Sequence, residues 1–316
     1  VTTLPKIVFV GHTSVDRIRN ARGEKVQPGG AALYAAVGAK TVCRDVGIVT
    51  AIGHDYQFGD VFNDFESATV KRVKEKSTEF FITYDKDWNA SYRKVSIGPG
   101  SQITTRDVLG CVGRGAQIIH LAPMNPPKVR NMVRAVKEAN KDVLVSINSC
   151  INYLDDKANR RAVLDAASQA DIFILNEREL HALTGIELVS KAIKTISAKT
   201  LVLTLGEIGT IISSPGSTEF IPAMAAITKN AVDVTGAGDT WSGSFIASYF
   251  RSGSWIKAVS FASVVSAIKC TGWNFEKIRR LRFENVEDIY DLAIALKEKG
   301  RQLTLSDALK AVRLES

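Results

Sequence analysis

Short apolar runs alternate along the chain with longer stretches whose apolar positions recur every three or four residues. Lys6–Val10 (KIVFV) is almost wholly apolar and too short for a helix, which predicts a strand buried on both faces. Val46–Ile52, Gln117–Leu121, Asp142–Ile147, Asp171–Leu175 and Thr200–Leu205 read as further strands. Between them, Pro126–Asn140 puts Val129, Met132, Val133 and Val136 on one face behind a proline that suits a helix start. Asp156–Ala170, Asn176–Leu183 and Ser190–Ser197 are predicted helices, and Gly185 ends the second. Strands separated by helices imply βαβ units, hence a mainly parallel sheet with helices on both faces.

Nearer the start, Asp16–Pro28 reads as polar and turn-like, and Gly29-Gly30 opens a helix of small residues, Ala31–Thr41. Gly53-His54-Asp55 leads into a helix through about Phe65. Thr78–Tyr84 and Ala90–Ile97 differ, with aromatic and β-branched residues interleaved with polar ones around the turn Asp85–Asn89. They predict a half-exposed hairpin at about 78–97, suited to a lid or a homodimer contact, or simply an edge decoration. Ser254–Lys269 is a long helix closed by Thr271-Gly272. The tail adds a helix near Asn285–Lys299, with Val286, Ile289, Ala293 and Leu296 inward, and another after Ser306. The expected organisation is one domain over 1–275 and a helical extension, 276–316, packed on its surface without chemistry.

Composition narrows the class. The chain has 316 residues, 45% hydrophobic and 23% charged, enough for a large globular core. No apolar run approaches the ~20 residues of a membrane span, and Val1–Val10 lacks signal-peptide features, so a cytoplasmic protein without a membrane partner is expected. Cys43, Cys111, Cys150 and Cys270 are scattered without a CxxC pair or clustered histidines, which argues for buried thiols rather than zinc or disulfides. The net charge is +8. Its densest groups, Lys71–Lys76 and Lys277–Arg282, are interrupted at helical spacing and read as solvated helix faces. No nucleic-acid motif accompanies them, which leaves a basic nucleic-acid-binding module as a minor alternative and makes attraction of a small anionic substrate a sufficient use of the charge.

The chemistry concentrates in Val232–Gly243. Gly236-Ala237-Gly238 precedes Asp239 at the start of a predicted helix, Asp239–Phe250. Unpaired N–H groups and the helix dipole make such a start an anion cradle, with Asp239 at its edge as an ionised carboxylate able to accept a proton. A helix-capping Asp in a glycine loop is the plain alternative. Familiar nucleotide motifs do not apply: no Gly-Lys pair exists for a P-loop, and the G-x-G lies too late for a dinucleotide fold. An acyl-hydrolase elbow is missing as well.

The order of features from Lys6 to Gly272 resembles the ribokinase-like (PfkB) carbohydrate kinases. Asp233-Val234-Thr235-Gly236-Ala237-Gly238-Asp239-Thr240 with Gly243 matches that family's second signature. Gly29-Gly30-Ala31-Ala32 partly matches its first, and Asn176-Glu177-Arg178-Glu179 with Leu183-Thr184-Gly185 matches its magnesium-linked segment. The resemblance implies a three-layer α/β/α fold with a small β lid, and ATP-dependent phosphorylation of a hydroxyl of a sugar, cyclitol or nucleoside. It implies Asp239 as base, with the N–H groups of Gly236, Ala237 and Gly238 holding the transferring phosphoryl. Asp16, Gly29, Gly30 and Tyr34 would meet substrate. Asn176, Glu179, Thr204, Gly206 and Gly272 would serve ATP, with Glu179 reaching Mg2+ through water. Asn176 and Glu179 also fit a helix capping box. Asp233 would help bind a monovalent cation such as K+.

Three positions depart from the family pattern. Tyr34 stands where Asn is usual, Ala122 where ribokinases place a charged substrate contact, and Val234 where Thr is common. Tyr34 resembles the cyclitol-kinase branch and makes myo-inositol the first expected substrate. A non-catalytic sugar- or nucleotide-binding regulator on the same fold is the competing expectation.

Overall fold

A computed structural model of the chain describes residues 6–65, 67–223, 231–298, 304, 306, 307, 313 and 314. The strands are β1 (Ile7–Val10), β2 (Ser14–Asn20), β3 (Gly23–Gly29), β4 (Val46–Gly53), β5 (Ser67–Val73), β6 (Thr78–Tyr84) and β7 (Ala90–Ser96). They continue with β8 (Ile118–Leu121), β9 (Leu144–Asn148), β10 (Ile172–Asn176), β11 (Leu201–Thr204), β12 (Gly209–Ser214), β13 (Ser217–Pro222), β14 (Leu281–Arg282) and β15 (Arg313–Leu314). The helices are α1 (Ala31–Lys40), α2 (Thr105–Gly113), α3 (Pro126–Ala139), α4 (Lys157–Ala167), α5 (Glu177–Thr184), α6 (Val189–Ala192), α7 (Ala237–Ser252), α8 (Trp255–Cys270) and α9 (Glu287–Glu298).

A nine-stranded sheet forms the middle layer in the order β13-β12-β11-β10-β9-β8-β1-β4-β5. From β11 to β5 every neighbouring pair is parallel, while β12 and β13 extend one edge antiparallel. Alternation along β1 assigns its side chains to two cores. Ile7 and Phe9 join α1, α7 and α8, whereas Val8 and Val10 join α2, α3, α4 and α5. This is the three-layer α/β/α arrangement implied by the sequence. Ile278, Leu281, Phe283, Val286 and Ile289 also lie in the α1–α7–α8 core, and Phe283 N–H bonds the Thr41 carbonyl at 2.7 Å.

A second sheet, β3-β2-β6-β7, stands apart from the first. The stretch Asp16–Pro28, expected to be turn-like, is instead most of a hairpin, β2–β3. Its polar composition masks a period of two from Asp16 onward: Asp16 and Ile18 are buried, like Ser14 and Val15 before them, while Arg17 and Arg19 are exposed. The predicted 78–97 hairpin is present as β6–β7, and β6 runs parallel to β2.

Other expectations change locally. The helix toward Phe65 is a 3-10 segment, Gly59–Asp64, and Ser190–Ser197 shortens to α6 with a 3-10 turn at Ile193–Thr195. Lys71 and Arg72 lie on the edge strand β5, not a helix, where charges discourage further strand pairing. Lys277–Arg282 is a turn leading into β14, in which Arg279 pairs with Asp60 and Asp64. Cys150 is half-buried, unlike the buried Cys43, Cys111 and Cys270, and all four thiols are free. The side chains of Ala293 and Leu296, and most of the last predicted helix, lie outside the described residues. Among those residues, no helix is long and apolar enough to cross a membrane.

Candidate active site

The parallel strands end on the side where α7 begins. Gly236 caps α7 in the left-handed region, φ 70°. A Cβ there would overlap the ring of Tyr34, so the glycine serves the turn's packing as well as its conformation. The first helical bond runs from Thr240 N–H to the Gly236 carbonyl at 2.8 Å. Ala237 N–H donates to the Val234 carbonyl at 3.1 Å, which removes it from the expected anion hole. Among the described residues, the N–H groups of Gly236 and Gly238 have no acceptor, and open space lies over Gly238. The cradle is therefore built from fewer donors than the motif implied.

Asp239 sits in the first turn of α7. Desolvation pushes its pKa up to about 6, and the Lys269 ammonium opposes that rise. The helix start alone implies an ordinary low value; burial outweighs it. Nearby, Asn148 at the end of β9 donates from Nδ2 to Ser242 Oγ at 3.1 Å, leaving its Oδ1 without a partner. Nothing local in the sequence marks Asn148, which reaches α7 across 94 residues.

Asp16 is buried on β2, and its Oδ1 accepts a 2.7 Å bond from Ser14 Oγ. Desolvation raises its pKa to about 7; the Ser14 bond and Lys269 oppose this, while Asp233 and Asp239 reinforce it. A Cβ on Gly29 would overlap the Asp16 carboxylate, so that glycine makes room for the acid. Gly30 is the N-cap of α1. Tyr34, expected to touch substrate, is instead buried against protein groups. It is 1% exposed, packs beneath Gly236, and its hydroxyl accepts from Gln27 Nε2 at 3.2 Å.

Asp233 is also fully buried. Its Oδ2 accepts from Gln27 Nε2 at 2.9 Å and Asn274 N–H at 3.0 Å, and its Oδ1 from Thr235 N–H at 2.9 Å. Lys269 Nζ stands 3.6 Å from Oδ2 and donates to the Asp233 carbonyl at 2.7 Å. The expected monovalent-cation ligand is thus already satisfied by protein donors and a protein cation. A bound K+ does not fit this arrangement. Gln27 and Lys269 are invisible to sequence reasoning as site residues because their contacts span 206 and 36 residues.

On the other side of the strand ends, Asn176 and Thr204 lie in register on β10 and β11. Asn176 Oδ1 accepts from Glu179 N–H at 2.9 Å, and Glu179 Oε2 accepts from Asn176 N–H at 3.0 Å, completing a capping box. Desolvation raises the Glu179 pKa to about 7; the Asn176 backbone bond opposes this rise and the charge of Asp239 reinforces it. Thr204 Oγ1 donates to the Leu175 carbonyl at 3.4 Å, and Gly206 follows in an exposed turn at φ 60°. Gly272 is buried, with the Lys277 stem over its Cα. The strand ends therefore bring Asn176, Glu179 and Thr204 together, with Asp239 close enough to act on Glu179.

Residues 4–273 match the family model for the pfkB family carbohydrate kinases. The chain belongs to that family. As a pfkB kinase it is a phosphotransferase that uses ATP. A cytidine kinase from Thermococcus kodakarensis is 29% identical over 257 residues, covering 78% of this chain and 88% of that protein. The ribokinase of Giardia lamblia shares the fold with a TM-score of 0.75 at 19% identity, covering 91% of this chain and 99% of that one. A putative ribokinase II from E. coli, solved in complex with ATP and Mg2+, superposes with a TM-score of 0.70 at 19% identity over 91% and 98% of the two chains.

Mg2+ suits this pfkB site. Glu179 and Asp239 are two desolvated acids, and the charge of Asp239 adds to the need of Glu179 for a counter-charge. No group of three His, Cys, Asp or Glu side chains that could hold a metal exists among the described residues, which suits an ion that keeps water and phosphate ligands. The second sheet closes on the same place. Tyr84 OH on β6 accepts from Thr235 Oγ1 at 3.1 Å. Asn20 Nδ2 donates to the Val232 carbonyl at 3.0 Å, and Arg22 Nε to the Ala231 carbonyl at 3.4 Å. Tyr92 on β7 is raised by desolvation and then by Cys150, Asp239, Asp16 and Glu179, so the cleft's acids act on it. Its ring meets Phe80 edge-on at 6.3 Å.

Proposed function

We propose that the chain transfers the γ-phosphoryl of ATP to a primary hydroxyl of a nucleoside. The observation that carries this reading is the pair Asp16 and Asp239, two desolvated carboxylates beside an open helix start, the field of the second reaching the first. Asp16 would hold the sugar diol; Asp239 would take the proton. The cytidine kinase likeness and the Phe80–Tyr92 pair, a surface on which a base could stack, favour a nucleoside over a free sugar.

In the reaction, the acceptor oxygen bonds to the γ-phosphorus while the bond to the β,γ-bridging oxygen breaks and ADP leaves. Asp239 receives the acceptor's proton; a value near 6 leaves it ionised at neutral pH yet basic enough to help. The N–H groups of Gly236 and Gly238 would face the charge that develops on the phosphoryl oxygens. Bound Mg2+ would neutralise phosphate charge beside Glu179. The lid sheet would exclude water from the cleft.

The myo-inositol expectation rests on Tyr34, whose ring lies below the turn, so that substrate becomes one arm of a screen rather than the first choice. ADP release with cytidine, adenosine, inosine, ribose, fructose and myo-inositol tests the assignment. Highest kcat/KM on a nucleoside supports it. Preference for a free sugar or cyclitol overturns the substrate, and lack of turnover with every acceptor favours the regulator.

A further inference from the structure

Lys269 lies at the C-terminal end of α8 with 0% of its side chain exposed, as does its partner Asp233. Isolated buried ammonium groups are strongly disfavoured, so this one has to be held for a reason. Its Nζ donates to the Asp233 carbonyl at 2.7 Å, sits 3.6 Å from Asp233 Oδ2, and stands 5.4 Å from the Tyr34 ring centroid. That ring is the floor under Gly236, and Asp233 holds the N–H of Thr235, one residue before Gly236. A single buried cation therefore braces both supports of the phosphoryl-binding turn. Its field also reaches Asp16 and Asp239, where it favours the ionised carboxylates.

We propose that Lys269 is the resident cation of this turn: its ammonium stands beside Asp233 in place of a monovalent metal ion, holds the turn in shape, and makes the enzyme independent of K+. Lys269 is a positioning residue, since it reaches the reaction only through Asp233 and Tyr34. The proposal rests on the kinase reading of the Asp239 turn but not on the choice of acceptor. A tethered ammonium supplies the charge without needing an ion from solution. The three protein N–H donors on the Asp233 carboxylate leave little of it for a metal ion.

The first test uses the unaltered full chain. Replacing K+ by tetramethylammonium at constant ionic strength should leave its melting temperature unchanged, because no ion binds the folded state. ADP release should change by less than about twofold. A K+-dependent rise in melting temperature, or activation beyond about fivefold, overturns the proposal. The melting readout stands even if no acceptor gives turnover, so failure of the kinase reading is distinguishable. The second test compares Lys269→Ala with Lys269→Met. In folded protein, both should lose at least about tenfold in kcat with a smaller change in KM for ATP. Ammonium or methylammonium should restore part of the loss in Lys269→Ala and none in Lys269→Met, whose side chain fills the space. Unchanged kcat, or a loss that no small cation restores in Lys269→Ala, assigns Lys269 a merely structural role and overturns the proposal. If neither variant folds, the cation response of the unaltered chain decides.

Discussion

The ring of Tyr34 lies directly beneath Gly236, so that a side chain on the glycine would occupy the ring's own space. Helix α1 thereby sets the height of the turn that starts α7. Gly236→Ala combines that overlap with a left-handed φ of 70° and should cost about 2–4 kcal/mol of stability, with turnover lost along with it. Adding Tyr34→Leu should recover part of the stability. A double-mutant cycle by denaturant unfolding measures this coupling, and strict additivity would show that the two residues do not pack as one unit.

Glu179 caps α5, and the proposed mechanism gives it a second job beside Mg2+ that a conservative change can separate. Gln caps a helix as well as Glu does, so Glu179→Gln should keep the 3.0 Å bond to Asn176 N–H and melt within a few degrees of the parent. Loss of its charge should raise the Mg2+ concentration for half-maximal ADP release by roughly tenfold. Equal Mg2+ requirement in both proteins would leave Glu179 as a cap alone.

Asp16 carries a pH signature. Its folded pKa, about 7, exceeds the unfolded value near 3.8, so the folded state binds more protons between those limits. Stability from Asp16 is therefore full at acid pH and lost as pH rises from about 4 through 7. Buried His12 and His120, lowered to about 4 and about 3, act in the opposite sense below about 6.5. The comparison must thus be between proteins: Asp16→Asn should gain in melting temperature relative to the parent as pH rises from 5 to 8. A constant difference across that range would mean that Asp16 is not desolvated in the folded protein.

Tyr84 ties the second sheet to the turn before α7. Its hydroxyl accepts from Thr235 Oγ1, one residue before the Gly236 cap. Tyr84→Phe removes only that bond, worth about 1 kcal/mol, and should raise the acceptor KM by roughly fivefold while kcat changes less. Hydrogen exchange should quicken along β6 and β7. No change in either measurement would show that this bond does not hold the lid.

Much of this architecture is readable without coordinates, because buried parallel strands are apolar runs and amphipathic helices repeat every three or four residues. The turn from Asp233 to Asp239 is equally plain, since its small residues lie side by side in the chain. What escapes depends on distance. Ser14–Asn20 is a strand that buries Ser14 and Asp16 and exposes Arg17 and Arg19, so its composition looks like a turn. Gln27, Asn148 and Lys269 join the site through partners 206, 94 and 36 residues away, and no local pattern announces such contacts. Tyr34 is misplaced for a related reason: the sequence puts it after Gly29-Gly30 but does not say which side of the turn its ring takes. The raised acids Asp16, Glu179 and Asp239 likewise follow from burial, which only the assembled fold determines.

In the proposed mechanism Asp239 is the base above the Gly236–Gly238 turn. Asp239→Asn preserves size and leaves the α7 cap at Gly236 untouched. The most direct measurement pairs calorimetric ATP binding with ADP release for this variant, using the best acceptor from the screen. ATP affinity should stay within about threefold while kcat falls by about 100-fold or more. An Asp239→Asn variant that keeps kcat within about tenfold of the parent would show that Asp239 is not the base.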